Sequence, residues 1–181
     1  VNYHQAVAEG GIGMTTVAYA AVSKSGLSFA HQLWLMEDAV HGLRILTGSV
    51  HNAGAAAAIQ IGHCGQMAKK AVSGDCMSPS GGFNLYGPTW PRPMNKKDIR
   101  EVVTDFGHAV NLARKSGFEF IQMARALIHD PAFINKLKTG ELKVSGCNHT
   151  NYCIAVMYSG KMACCQNEKS IPEALRKELE S

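Results

Sequence analysis

The stretch Phe118–Pro131, "FEFIQMARALIHDP", decides how the rest of the chain is read. Ile121, Met123, Ala124 and Ala126 surround a single arginine, Arg125, and an Asp130-Pro131 pair follows. The apolar run predicts a buried strand, and a short helix is expected around Ala132–Leu137. A guanidinium cannot discard its charge and needs an anion when partly buried. At a junction between strand and helix, Arg125 suits a phosphate held by the arginine fork together with a backbone N–H. An ion pair to a neighbouring carboxylate is the alternative, and the residues alone leave both open.

Upstream, Gly117 closes a helix that Asn95 caps. Asp98 and Glu101 lie in its first turns, and Ile99, Val102, Val103, Phe106, Val110 and Ala113 form an apolar stripe. Between Gly65 and Pro93 the chain is rich in glycine and proline and predicts a long irregular excursion. Before it comes a second buried strand, Ala55–Ile61. That strand is preceded by a helix with Val40, Leu43, Ile45, Leu46 and Val50 at near-helical spacing and Gly54 just past its end. Met14–Val22 reads as a strand buried on both faces, after a short helical opening and a glycine-rich turn. Strands alternating with helices in this order predict an α/β fold built on a parallel sheet.

Of the 181 residues, 46% are hydrophobic and 18% charged, enough to bury one core. The net charge of +4 is scattered rather than run together, which argues against a nucleic-acid partner. The apolar run "AGAAAAIQIG" is half the length of a membrane span and contains Gln60, so no membrane partner and a soluble, cytoplasmic protein are expected. Val1 is not Met and no signal peptide is visible, so the chain is read as a fragment or a processed form. Four of the six cysteines fall in the last quarter, and Cys164 adjoins Cys165, a pattern suited to thiolates in a reducing compartment.

Two segments besides Arg125 carry chemistry. "IQIGHCGQ" places Gln60 and His63 near the end of a strand, where β/α folds build their sites. The Gln60 amide suits the C=O and N–H edge of a heteroaromatic ring, or else it closes the strand against a loop. His63 has the same bland alternative. The tail "CNHTNYCIAVMYSGKMACC" spaces Cys147, Cys153 and Cys165 so that they could gather round a metal, against buried thiols.

The segments "GMTTVAYAAVS", "LTGSVHNAGAAAAIQIGHCG", "FNLYGPTWPRPMNKKDIREVVTDFGHAVNLARKSGF" and "FEFIQMARALIHDPAFINKLKTGE" together resemble the NADH:flavin oxidoreductase family, which includes old yellow enzyme and 2,4-dienoyl-CoA reductase. The resemblance implies a (β/α)8 TIM-barrel-like fold carrying FMN, with NAD(P)H as reductant and an activated alkene as acceptor. It places Gln60 at the flavin pyrimidine, Ala124 and Arg125 at the FMN phosphate, and the backbone of Tyr19 along the flavin. The tail is similar to the iron–sulfur segment of the dienoyl-CoA reductase branch. Cys147, Cys153 and Cys165 match three of its ligands, Thr150 stands at the place of another, and Cys164 or His149 is a possible stand-in.

"FEFIQMARAL" resembles the last barrel strand, yet it follows directly on the third helix. Several central strands, the His/Asn pair and the proton donor therefore have no counterpart, and the fold expected is a partial barrel. Residues 1–145 are expected to form an incomplete flavin-binding barrel domain and 146–181 a cysteine-containing segment. The function implied is that of an FMN-dependent NAD(P)H oxidoreductase of ene-reductase or dienoyl-reductase type, acting on a small molecule. A non-catalytic partial barrel that binds a partner, with a homo-oligomer as one way to cover its open edge, is the competing expectation. A small zinc module on Cys147, Cys153, Cys164 and Cys165 is a third.

Overall fold

The structure, a computed structural model, describes residues 1–79, 81–83, 89–122, 125–147, 152–156, 162–167, 171 and 173. It falls into two compact units, Val1–Gln122 and Met123–Ser181. In chain order the first unit contains α1 (Asn2–Glu9), β1 (Met14–Ala21), α2 (Glu37–Asn52), β2 (Ala56–Gly62), α3 (Lys70–Ser73), β3 (Met77–Ser78), β4 (Arg92–Pro93), α4 (Lys96–Lys115) and β5 (Phe120–Gln122).

β1, β2 and β5 form a parallel sheet in that order, with β2 central. Parallel neighbours need crossover connections, and α2 and α4 supply them. One face of the sheet packs on the helices. Val50, Ile59 and Leu112 are fully buried there, with Leu35, Leu43, Ala57, Ala109, Ala113 and Phe118 around them. The small residues at Ala57, Ala109 and Ala113 let the helices approach the strands closely, which suits the alanine-rich β2.

The helix boundaries follow local chemistry. Asn95 Oδ1 accepts from the N–H groups of Lys97 (2.8 Å) and Asp98 (3.1 Å), while Asp98 accepts from the Asn95 N–H at 2.8 Å, a complete capping box. α2 lacks a side-chain cap at Met36 but begins with Glu37 and Asp38, which suit the positive end of its dipole. It ends through Gly54 at φ +84, as the sequence predicts.

The stripe expected on α4 is only partly buried. Ala109, Leu112 and Ala113 face the core, whereas Ile99 (48% exposed), Val103 (65%) and Val110 (40%) face solvent. α4 has α2 on one flank, and among the described residues no further helix of this unit covers the other. Ile45 of α2 is likewise exposed.

The Gly65–Pro93 excursion has more order than its composition suggests. A 3-10 turn at Gly65–Met67 and α3 lead to β3, which pairs in parallel with β4. The Arg92 guanidinium reaches the carboxylates of Asp75 and Asp98, each at 2.6 Å, and so ties the excursion to the start of α4. Those bonds raise the Arg92 pKa, and the same guanidinium together with the Asn95 N–H holds the Asp98 carboxyl down at about 2.

The second unit contains α5 (Arg125–His129), α6 (Phe133–Thr139) and α7 (Tyr152–Val156). α6 matches the helix expected around Ala132–Leu137. Asp130 starts it by accepting from the Ala132 N–H (3.0 Å) and Lys136 Nζ (2.9 Å), and Gly140 ends it in the left-handed region. Among the described residues no helix is long and apolar enough to cross a membrane.

Candidate functional site

The sheet face turned away from α2 and α4 carries the polar groups. Parallel register sets Thr16 beside Ala58 and Ala58 beside Phe120; two residues further along β2, Gln60 stands beside Gln122. Directly paired residues project to one face, so the two amides are neighbours above an apolar floor. Met14, Thr16, Ala58, Phe120, Ile121 and Gln122 line a cleft of about 270 Å3 on this part of the sheet. Two primary amides side by side offer donors and acceptors to a planar heteroaromatic edge. Gln122 is a residue that the sequence reading missed, because its place beside Gln60 depends on long-range pairing.

At the carboxyl end of β1 the ladder to β2 is irregular between Val17 and Ala20, which takes the peptide groups around Tyr19 out of regular pairing. Gln32, itself buried, donates from Nε2 to the Tyr19 carbonyl at 3.2 Å. Its Oε1 accepts from the N–H (2.7 Å) and hydroxyl (3.1 Å) of Ser28, and the Tyr19 hydroxyl donates to Ser28 Oγ at 3.0 Å. A closed circuit therefore sets both the ring and the carbonyl of Tyr19. Gly62 lies under that ring: a Cβ there would stand 3.0 Å from Tyr19 Cδ2, so only glycine lets the ring lie across the end of β2.

His63 accepts at Nδ1 from the Gly65 N–H (3.0 Å), which leaves the proton of the neutral ring on Nε2, facing Ser25 Oγ at 3.2 Å. Burial lowers the His63 pKa, favouring the neutral ring. Its Nε2 is a donor here, so the pair does not activate Ser25 as a nucleophile. His63 instead fastens the Ser23–Gly26 loop onto the end of β2. Cys64 beside it donates to the Leu27 carbonyl at 3.2 Å, and burial pushes its thiol up to about 11.

A second cleft of about 360 Å3 lies in the excursion, lined by Lys70, Asp75, Cys76, Trp90 and Arg92 among others. Arg92 is already engaged by two carboxylates there and is not available as an anion fork.

Arg125 opens α5 rather than closing a strand, because β5 ends at Gln122. Ala124 lies outside the described residues, as do His149 and Thr150. Cys147 follows Gly146 in a loop, Cys153 lies in α7 and Cys165 is buried. Among the described residues no group of three or more His, Cys, Asp or Glu is placed to hold a metal ion. What the tail does place together is His129 and Cys164, Nδ1 to Sγ 3.4 Å, with Gly146 against the far side of the ring, where a Cβ would stand 2.6 Å from Nε2.

Comparison with known proteins follows the same boundary. Residues 1–123 match the model of the NADH:flavin oxidoreductase / NADH oxidase family. Among curated relatives, a 4,4'-dithiodibutanoate disulfide reductase of Rhodococcus erythropolis is 37% identical over 124 residues, 68% of this chain and 31% of that protein. An NADPH dehydrogenase of Geobacillus thermodenitrificans is 36% identical over 126 residues, 68% of this chain and 36% of that one. The chain thus spans about a third of the length of the curated relatives it matches.

Among solved structures, the old yellow enzyme homologue from Zymomonas mobilis superposes with a TM-score of 0.58 at 23% identity, over 70% of this chain and 41% of that one. Morphinone reductase, solved in complex with tetrahydroNAD, gives a TM-score of 0.59 at 19% identity, over 66% and 38%. These neighbours identify the α/β architecture as part of a (β/α)8 barrel. The parallel sheet, its crossover helices and the match over the first two thirds of the sequence lead to one conclusion: this chain belongs to the NADH:flavin oxidoreductase / NADH oxidase family.

Proposed function

We propose that this chain is the FMN-binding part of an NAD(P)H-dependent oxidoreductase of the ene-reductase or dienoyl-reductase type. The observation that carries the reading is the Gln60–Gln122 pair, two amides in register on the open face of a family-matched sheet. Gln60 would meet the pyrimidine edge of the flavin with one donor and one acceptor. The irregular peptide at Tyr19, set by Gln32 and Ser28, would line the ring from β1. By the family resemblance, Ala124 and Arg125 are the residues that would serve the phosphate, since a guanidinium fork matches two phosphate oxygens. When bound, the flavin supplies the hydride-transfer chemistry and the protein supplies orientation.

FMN titration followed by flavin fluorescence and visible absorption tests the reading. Wild-type protein should quench the flavin and shift its spectrum. Gln60→Leu should weaken binding by about 3- to 10-fold, the range of one lost hydrogen-bonded amide. Absence of any FMN binding by wild-type protein would overturn the proposal. Equal affinity in the variant would remove Gln60 from the site.

A further inference from the structure

Successive residues of β2 point to opposite sides of the sheet. Ala57 and Ile59 are buried in the core beneath α2 and α4, with Ile61 packed beside them, so Ala58, Gln60 and Gly62 belong to the open face. Gly62 has no side chain to place there, and the ring of Tyr19 takes the room. It lies on the side where a Cβ of residue 62 would stand, 3.0 Å from Cδ2 and 3.3 Å from Cε2. The group that follows Gln60 on this face is therefore an aromatic ring supplied by β1, about 7 Å further along the strand. Both lie towards the carboxyl ends of parallel strands, where β/α barrels build their active sites.

We propose that the Tyr19 side chain is a cofactor-contacting residue: its ring is the wall against which the flavin ring system packs while Gln60 meets the pyrimidine edge. This rests on the flavin reading above and extends it from the backbone of Tyr19 to its side chain. The hydroxyl is not the group on offer. It donates to Ser28 Oγ (3.0 Å), the Ser28 hydroxyl donates in turn to Gln32 Oε1 (3.1 Å), and that amide oxygen ends the chain. With its proton committed to Ser28, the phenol presents its ring. Gln32 keeps that ring in place, because it is buried and also binds the Ser28 N–H (2.7 Å) and the Tyr19 carbonyl (3.2 Å). An aromatic wall fixed in advance gives its stacking contact without the cost of ordering a free side chain. A fused tricyclic ring reaches from the Gln60 amide to the Tyr19 ring, whereas a single six-membered ring meets only one of them. All of these groups belong to β1, β2 and the loop after β1, in contacts internal to the first unit.

FMN titration of the full chain, read by affinity and by the fluorescence of the bound flavin, tests the proposal. An electron-rich phenol in van der Waals contact quenches an excited flavin, a signature that a merely structural tyrosine does not give. Tyr19→Leu, with wild-type circular dichroism, should bind FMN about 3- to 10-fold more weakly and leave the bound flavin brighter. Tyr19→Phe keeps a ring and loses the electron-rich phenol, so its affinity should stay within about 2-fold of wild type while the bound flavin still brightens. Gly62→Ala, which pushes the ring from its seat without removing it, should weaken binding in the same direction as Tyr19→Leu. Wild-type affinity and fluorescence in Tyr19→Leu, with binding still weakened in Gln60→Leu, would overturn the wall and leave the flavin reading standing. Equal loss of affinity in Tyr19→Phe and Tyr19→Leu would overturn it too, because the hydroxyl circuit would then be what matters. Absence of FMN binding by wild-type protein would overturn both.

Discussion

Gly117→Ala tests the hinge on which α4 turns into β5. Gly117 sits at φ +86, and a Cβ there would stand 2.8 Å from Thr47 Oγ1. Thr47 is buried on α2 and donates to the Ser116 carbonyl at 2.7 Å, so it is not free to swing away. The left-handed backbone alone costs an alanine about 1–2 kcal/mol. Overpacking against a fixed neighbour adds about 1–3 kcal/mol. The expected loss is therefore about 2–5 kcal/mol, a large share of the stability of an ordinary domain. Urea unfolding followed by circular dichroism reads it as a lower midpoint at unchanged slope.

The second arm of the same test is Thr47→Ala. By itself it removes the hydrogen bond to Ser116 and costs about 1 kcal/mol. Combined with Gly117→Ala it also removes the atom that the new methyl would strike, so the double variant should be more stable than additivity predicts by about 1–3 kcal/mol. A Gly117→Ala loss below about 0.5 kcal/mol, or strict additivity in the cycle, would refute the steric account.

Two further predictions concern titratable groups. Asp98 ionises at about 2 in the folded protein against an ordinary value of 3.8, so its bonds to Arg92 and the Asn95 N–H stabilise the fold above pH 3.8, and that contribution is lost as pH falls towards 2. Thermal melts between pH 5 and pH 2 should show a drop that is shallower in Asp98→Asn; identical pH profiles would disprove the link. Cys64, with its thiol pushed up to about 11, should be alkylated by iodoacetamide at pH 8 on the order of 100-fold more slowly than a thiol of ordinary pKa. Peptide mapping that finds Cys64 modified as fast as free cysteine would contradict the burial seen for it.

What was legible in the sequence was what local chemistry dictates. Asn95 and Asp98 announce the start of α4 because both partners of the capping box lie within four residues. Gly54 and Gly117 mark helix ends because the turn after each needs a positive φ. The outward flank of α4 was misread, since the spacing of Ile99, Val103, Phe106 and Val110 shows that a face is apolar and not whether a neighbour covers it. Gln122 itself escaped notice because its partner Gln60 is distant in sequence and only the β2–β5 register brings them together. β3 and β4, two residues each, are too short to leave any period. The circuit of Tyr19, Ser28 and Gln32 was invisible for a related reason: three ordinary polar residues acquire a role only through the loop that follows β1.

The long-range register of the sheet also orders events in time. β1 and β2 pair across about 40 positions of chain and β2 and β5 across about 60, so closing the sheet requires loops that form slowly. α4, with twenty residues, a complete cap at one end and glycine at the other, can form before its strands meet. During synthesis the β1–α2–β2 unit leaves the ribosome complete while β5 is still unmade, and the apolar underside of β2 waits for α4 to cover it. β5, only three residues long, then docks last onto an edge already in place. The Gln60–Gln122 pair is therefore among the final features of the sheet to assemble, and the first to part when the sheet opens from that end.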